Sequence, residues 1–101
     1  MNQTYLKEHV KEELEGAKDY IKRAIEIKAM DPAWGKMLYN MSVEELSHAT
    51  NFYNMAVEYY EKVSSAYKEP PEYMTDCMEE ITDMYMECSA LIKKMHEMYT
   101  R

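Results

Sequence analysis

The stretch Glu44-Glu45-Leu46-Ser47-His48-Ala49 decides how the rest of this 101-residue chain is read. Side chains three residues apart on an α-helix share a face, so Glu45 and His48 bring a carboxylate oxygen and an imidazole nitrogen toward one point. The surrounding segment is helical by pattern, because Leu38, Met41, Glu45, His48/Ala49, Phe52, Ala56, Tyr59 and Val63 recur at steps of three and four. An acid in the middle of an apolar stripe has to be paired, protonated or bound to a metal, since burying it bare is too costly. Glu-x-x-His alone is a weak motif, and its neighbours in the fold must supply the specificity.

The nearest punctuation is Asp31-Pro32. Asp caps helix starts, Pro suits the first helical position, and Pro also stops the preceding helix. The pattern therefore predicts a helix over 32–67, preceded by one over 3–29 whose apolar positions include Leu6, Val10, Leu14, Ala17, Tyr20, Ile21, Ala24, Ile25 and Ile27. Glu13 breaks this first stripe: it is in register with Leu6, Ala17, Tyr20, Ala24 and Ile27, whereas Glu12 and Glu15 point away. Its bland reading is an edge carboxylate reached by a Lys. So short a turn makes the two helices an antiparallel hairpin. Glu13 lies eighteen residues before Asp31, and Glu45 and His48 lie fourteen and seventeen after it. At 1.5 Å per residue they differ in height by at most about one helical turn. Three ligand-type side chains are thus expected to converge on one layer.

Glu69-Pro70-Pro71 ends the second helix, and a third is predicted over 71–99. Its expected buried stripe is Met74, Cys77/Met78, Ile81, Met84/Tyr85, Cys88, Leu91/Ile92, Met95 and Tyr99, with Glu80, Asp83 and Glu87 as a solvated line beside it. With only two Gly and three Pro, the composition is helical throughout, and 101 residues make one domain. The net charge of −7 argues against nucleic acid or an anionic membrane as partner and favours cations. No apolar run is long enough to span a bilayer and the N-terminus has no signal pattern, so a cytoplasmic protein is expected. Cys77 and Cys88 stand about 16 Å apart on one helix and cannot bond to each other. They read as reduced core cysteines, with a cross-chain disulfide or a thiolate ligand as the other reading. The eleven Met follow the core period and read as core filler or subunit contact rather than a copper(I) site.

Two Glu and one His are too few to hold two metal ions. A di-metal site in a four-helix bundle takes a Glu from each of two helices and a Glu-x-x-His from each of the other two. Two-fold pairing of this hairpin with a second copy supplies that set, so the expected fold is all-α: a helical hairpin plus a third helix, with the four-helix bundle completed by dimerisation. Hard oxygens with one imidazole per ion suit iron or manganese.

Glu12-Glu13-Leu14-Glu15-Gly16-Ala17-Lys18-Asp19-Tyr20-Ile21-Lys22-Arg23, followed after a turn by Glu44-Glu45-Leu46-Ser47-His48-Ala49, resembles the ferritin-like superfamily, and most of all the encapsulated ferritins. Those are half-length ferritins whose ferroxidase site forms between two protomers. The resemblance spans residues 8 to 60 and implies a di-iron site on Glu13, Glu45 and His48, with Tyr20 beside it and Glu12 and Glu15 as iron-entry ligands. It implies oxidation of Fe(II) by O2 and a homodimer or larger homo-oligomer. An encapsulin-like shell is a further implied partner, although no targeting peptide for one is recognisable at Thr100-Arg101. Glu8, Glu12, Glu15 and Asp19 form a stripe that reads either as a cation funnel or as a solvated face balanced by Lys7, Lys11, Lys18 and Lys22. His9 reads as surface or as an outer ligand, Trp34 as an anchor of the hairpin end, and His96 is left unassigned. Two other function classes fit the same residues. One is a metal-free helical assembly or adaptor protein; the other is a di-manganese or di-iron oxidase or peroxidase acting on another substrate.

Overall fold

The computed structural model describes residues 2–101. The chain forms three helices, α1 (Gln3–Ile27), α2 (Pro32–Ala66) and α3 (Glu72–Thr100), in a slender body of 57 × 20 × 15 Å. The helix limits differ from the expected ones by one or two residues, because the residues flanking each turn fray into it. Asn2 caps α1, its Oδ1 accepting the Tyr5 N–H at 2.9 Å. Asp31 caps α2 in the same way, accepting the Trp34 N–H at 3.0 Å, with Pro32 at the first helical position.

α1 and α2 form the antiparallel hairpin. α3 then runs back parallel to α1 and fills the groove on one side of the pair. The polar contacts mark this register from end to end: Lys7 pairs with Glu80 near the start of α1, and at its finish the Lys28 ammonium reaches the Tyr99 carbonyl. Between α2 and α3, Tyr60 meets Thr75 at 2.9 Å, Thr50 meets Tyr85 at 2.7 Å, and Tyr53 stacks on Tyr85 with centroids 4.3 Å apart.

The core lies where all three helices meet: Leu6, Val10, Leu14 and Ala17 from α1, Leu46, Ala49 and Ala56 from α2, and Met78, Ile81 and Ile92 from α3. A second cluster, Ile21, Ala24, Leu38 and Tyr99, closes the end near the hairpin turn. Fully burying an Ile or Leu contributes roughly 1.5–3 kcal/mol, so this seam holds the bundle.

Because α3 takes one side of the hairpin, α2 buries Gly35, Leu38, Ser42, Leu46, Ala49 and Ala56. That face is rotated from the expected stripe: Met41, Glu45, Phe52, Tyr59 and Val63 are half-buried and His48 is exposed. Glu13, Tyr20 and Ile27 of α1 are likewise half-buried. The acids therefore sit at the margin of the core, on the hairpin face that α3 leaves open. On α3 the expected stripe is also narrower. Leu91 is exposed, Cys77, Met84, Tyr85, Cys88 and Met95 are half-buried, and Ser89 takes a buried place.

Candidate metal centre

Glu13 comes from the middle of α1, and Glu45 and His48 come from successive turns of α2. Their ligand atoms all lie within 4.8 Å of one another. Among the described residues, no other trio of His, Cys, Asp or Glu does this. His48 Nδ1 is 3.5 Å from Glu13 Oε2. That oxygen is sealed from solvent, so its polar neighbours are the other members of the trio. The side chain of Glu13 is only 21% exposed, against 55% for that of His48. The trio thus faces outward through the imidazole and inward through the acid.

Two carboxyls this close compete for charge. A hydrogen bond with Glu13, partial burial and the Glu13 charge together push the Glu45 carboxyl up to about 7, with His48 opposing the rise and Glu44 adding to it. At neutral pH the metal-free pair is therefore poised to hold a proton that a cation would displace.

Gly16 is the residue that sequence reasoning missed. A Cβ built there would stand 3.3 Å from Glu45 Oε2, tighter than ordinary van der Waals contact. The bare backbone of α1 is where the Glu45 carboxylate rests. The available signal was a Gly inside a helix, which costs about 1 kcal/mol relative to Ala and calls for a packing reason.

The acids open onto a groove of about 350 Å³ lined by Glu12, Glu13, Gly16, Asp19, Tyr20, Arg23 and Glu45. Tyr20 and Glu12, both proposed from the sequence, are therefore on its walls. Glu15 is exposed and is not among them, and Asp19 takes the place expected for it. His9 is not brought to the trio: its ring lies between Tyr5 and Phe52, with centroids at 4.3 and 4.7 Å, and its Nδ1 is 4.0 Å from Glu12 Oε2. Cys77 and Cys88 are both free and half-buried, and burial pushes the Cys77 thiol up, away from the thiolate that a ligand needs. Trp34 is 51% exposed and lines an apolar hollow with Ile27, Met30 and Leu38 at the hairpin end.

The open face continues this way along both helices. On α2, Trp34 and Met41 precede Glu45, and Phe52, Met55 and Tyr59 follow His48, on the helical face beside the buried one. On α1, Tyr5 and His9 precede Glu13, and Tyr20 and Ile27 follow it. Polar ligands in the centre are thus flanked by apolar and aromatic groups at both ends. No helix among the described residues is long and apolar enough to cross a membrane. No family model, curated protein or solved structure matches this chain.

Proposed function

We propose that this chain is one half of a di-iron carboxylate centre, completed by a second copy, which oxidises Fe(II) with O2. The observation that carries the reading is the convergence of Glu13, Glu45 and His48 across the hairpin, with the solvent-sealed Glu13 Oε2 facing His48. Two carboxyls held this close, one of them partly buried, are stabilised by a cation between them. The donor set fits: carboxylates and one imidazole are ligands for iron or manganese, and Gly16 leaves the Glu45 carboxylate room to reach them.

Glu13, Glu45 and His48 would hold the ion, and the same three from a two-fold partner would supply two Glu and one His for each of two ions. The exposure of His48 and the apolar residues on either side of the trio suit a face that a second copy covers. The likeness of the two motif stretches to the half-length ferritins supports the same arrangement. Fe(II) is the substrate: the two ions would each give one electron on becoming Fe(III), and the two electrons with two protons from water would reduce one dioxygen to hydrogen peroxide.

The chain's own residues have three tasks. Glu13 and Glu45 neutralise cation charge, and Glu45 releases the proton that the pair shares before the ion enters. His48 binds through a nitrogen lone pair, so it must be neutral. Tyr20, on the groove wall, would hydrogen-bond a ligand carboxylate once the cation is bound. Glu12 and Asp19 at the groove mouth attract cations toward it.

The test is the rate at which Fe(II) is oxidised in air, followed by Fe(III) absorbance, for the wild type, Glu45→Ala and His48→Ala. The expected result is that either substitution lowers the rate to that of buffer while the helices remain. A wild-type rate no faster than buffer would overturn the reading.

A further inference from the structure

Ser42 is fully buried in α2, and its hydroxyl lies between groups from both other helices. Its Oγ is 2.6 Å from the Ala17 carbonyl oxygen of α1 and 2.8 Å from Nε2 of His96 on α3. A carbonyl only accepts, and a serine hydroxyl has one proton to give, so that proton goes to Ala17. Without it, two oxygens 2.6 Å apart would repel. His96 Nε2 must then carry a hydrogen and donate it to Oγ. This assignment excludes a nucleophile-and-base pair, because the nitrogen facing the hydroxyl has no lone pair free to take its proton. It also makes the bond insensitive to pH, since protonating Nδ1 leaves the Nε2–H in place.

The position of this bridge matters. Ser42 precedes Glu45 by one turn of α2, and Ala17 follows Gly16 directly on α1. The Ser42 hydroxyl therefore crosses between α1 and α2 one turn from where the Glu45 carboxylate rests on Gly16. The imidazole that donates to it is held by Tyr39, which meets it edge-on at 5.3 Å. α3 offers no ligand to the trio, yet it reaches the ligand-bearing pair of helices at this point.

The geometry points to His96 as a positioning residue for the metal centre: its Nε2–H bond to Ser42 fixes the rotamer in which the Ser42 hydroxyl donates to Ala17, and that second bond ties α1 to α2 at the separation that lets Glu13 and Glu45 meet. The inference rests on the metal reading above. It gives α3, which otherwise only fills the core, a part in setting metal affinity. Groups that orient metal ligands typically change affinity 10- to 100-fold when removed, and one acting through the helix spacing belongs at the low end of that range.

The test uses the full chain and Co(II) alone, titrated without oxygen and read by visible absorption, beside thermal melts. The variants are His96→Leu, Ser42→Ala, their double and His96→Gln, whose amide N–H donates in place of the imidazole. Ser42→Ala, which removes the hydroxyl and both of its bonds, is expected to weaken Co(II) binding about tenfold; His96→Leu, which only frees the hydroxyl from its fixed rotamer, is expected to weaken it by no more than that, and the double no further than Ser42→Ala, because His96 acts through Ser42. His96→Gln is expected to recover to within about threefold of wild type. If His96→Leu does not fold, Ser42→Ala carries the comparison, since Ala is a better helix former than Ser. Wild-type affinity in Ser42→Ala, or no gain of Gln over Leu, would overturn the positioning role and leave the centre standing. Failure of the wild type to bind Co(II) would overturn the centre itself, and the positioning role with it.

Discussion

At the scale of single residues, two glutamates decide the chemistry and one glycine decides their spacing. The Glu45 carboxyl is raised to about 7 by the hydrogen bond with Glu13, by burial and by the Glu13 charge, whereas an unfolded Glu titrates near its ordinary value of 4.5. Between those values the folded metal-free chain holds a proton that the unfolded chain has lost, so stability falls as pH rises from about 4.5 to about 7 and levels off above. Glu45→Gln removes this fall. The metal-free variant is expected to melt higher than wild type at pH 8 and close to it at pH 5, while losing metal binding; thermal melts of both proteins across that range check it, and parallel pH curves would contradict it. Gly16→Ala separates stability from function in another way. The helix gains about 1 kcal/mol of propensity, or roughly 4–8 °C in Tm, while the new methyl pushes the flexible end of Glu45 aside and weakens metal binding several-fold. Melts and Co(II) titration of the one variant check both halves, and unchanged affinity would contradict the seat assigned to Gly16. The convergence of Glu13, Glu45 and His48 followed from distances along the chain to Asp31, because a tight antiparallel hairpin ties height to residue count. Gly16 did not follow, since a missing side chain leaves no periodic mark.

At the scale of elements, the three helices came from apolar period and from punctuation at Asp31-Pro32 and Pro70-Pro71. Each helix was found within two residues of its expected limits. What the pattern left open was which face of each helix turns inward. Stripes at steps of three and four on α2 start equally well from Leu38-Met41-Glu45 or from Leu38-Ser42-Leu46, and only the seating of α3 chose the second. The bond from His96 to Ser42 was hidden for the same reason: it joins residues 54 positions apart across a contact that no local pattern encodes. The far end of α3 shows how tightly it is seated. Gly35 of α2 is buried, and a Cβ there would meet the Lys28 backbone at 3.2 Å and the Tyr99 hydroxyl at 3.3 Å. Unlike the neighbour of Gly16, the Lys28 backbone cannot swing away. Gly35→Ala is therefore expected to lose about 1–2 kcal/mol net, overpacking outweighing propensity, and to lower Tm by roughly 5–10 °C with little effect on metal affinity. A melt as high as that of wild type would show that the Lys28 backbone and the Tyr99 side chain give way at this end.

At the scale of the whole molecule, a 57 Å rod has one side filled by α3 and the opposite side lined by Glu13, Glu45 and His48 between apolar ends. We propose that this open side seats a second copy and that a shared metal pair is the reason for it. Composition and charge pointed toward cations and away from polyanions, and the number of ligands on one chain pointed to a partner; neither names the reaction. The most direct measurement loads metal-free protein with Fe(II) in air, removes unbound iron on a desalting column, and determines iron per chain together with the mass of the assembly. A shared di-iron centre gives close to one iron per chain on a species of at least two chains. An assembly that retains no iron would contradict it.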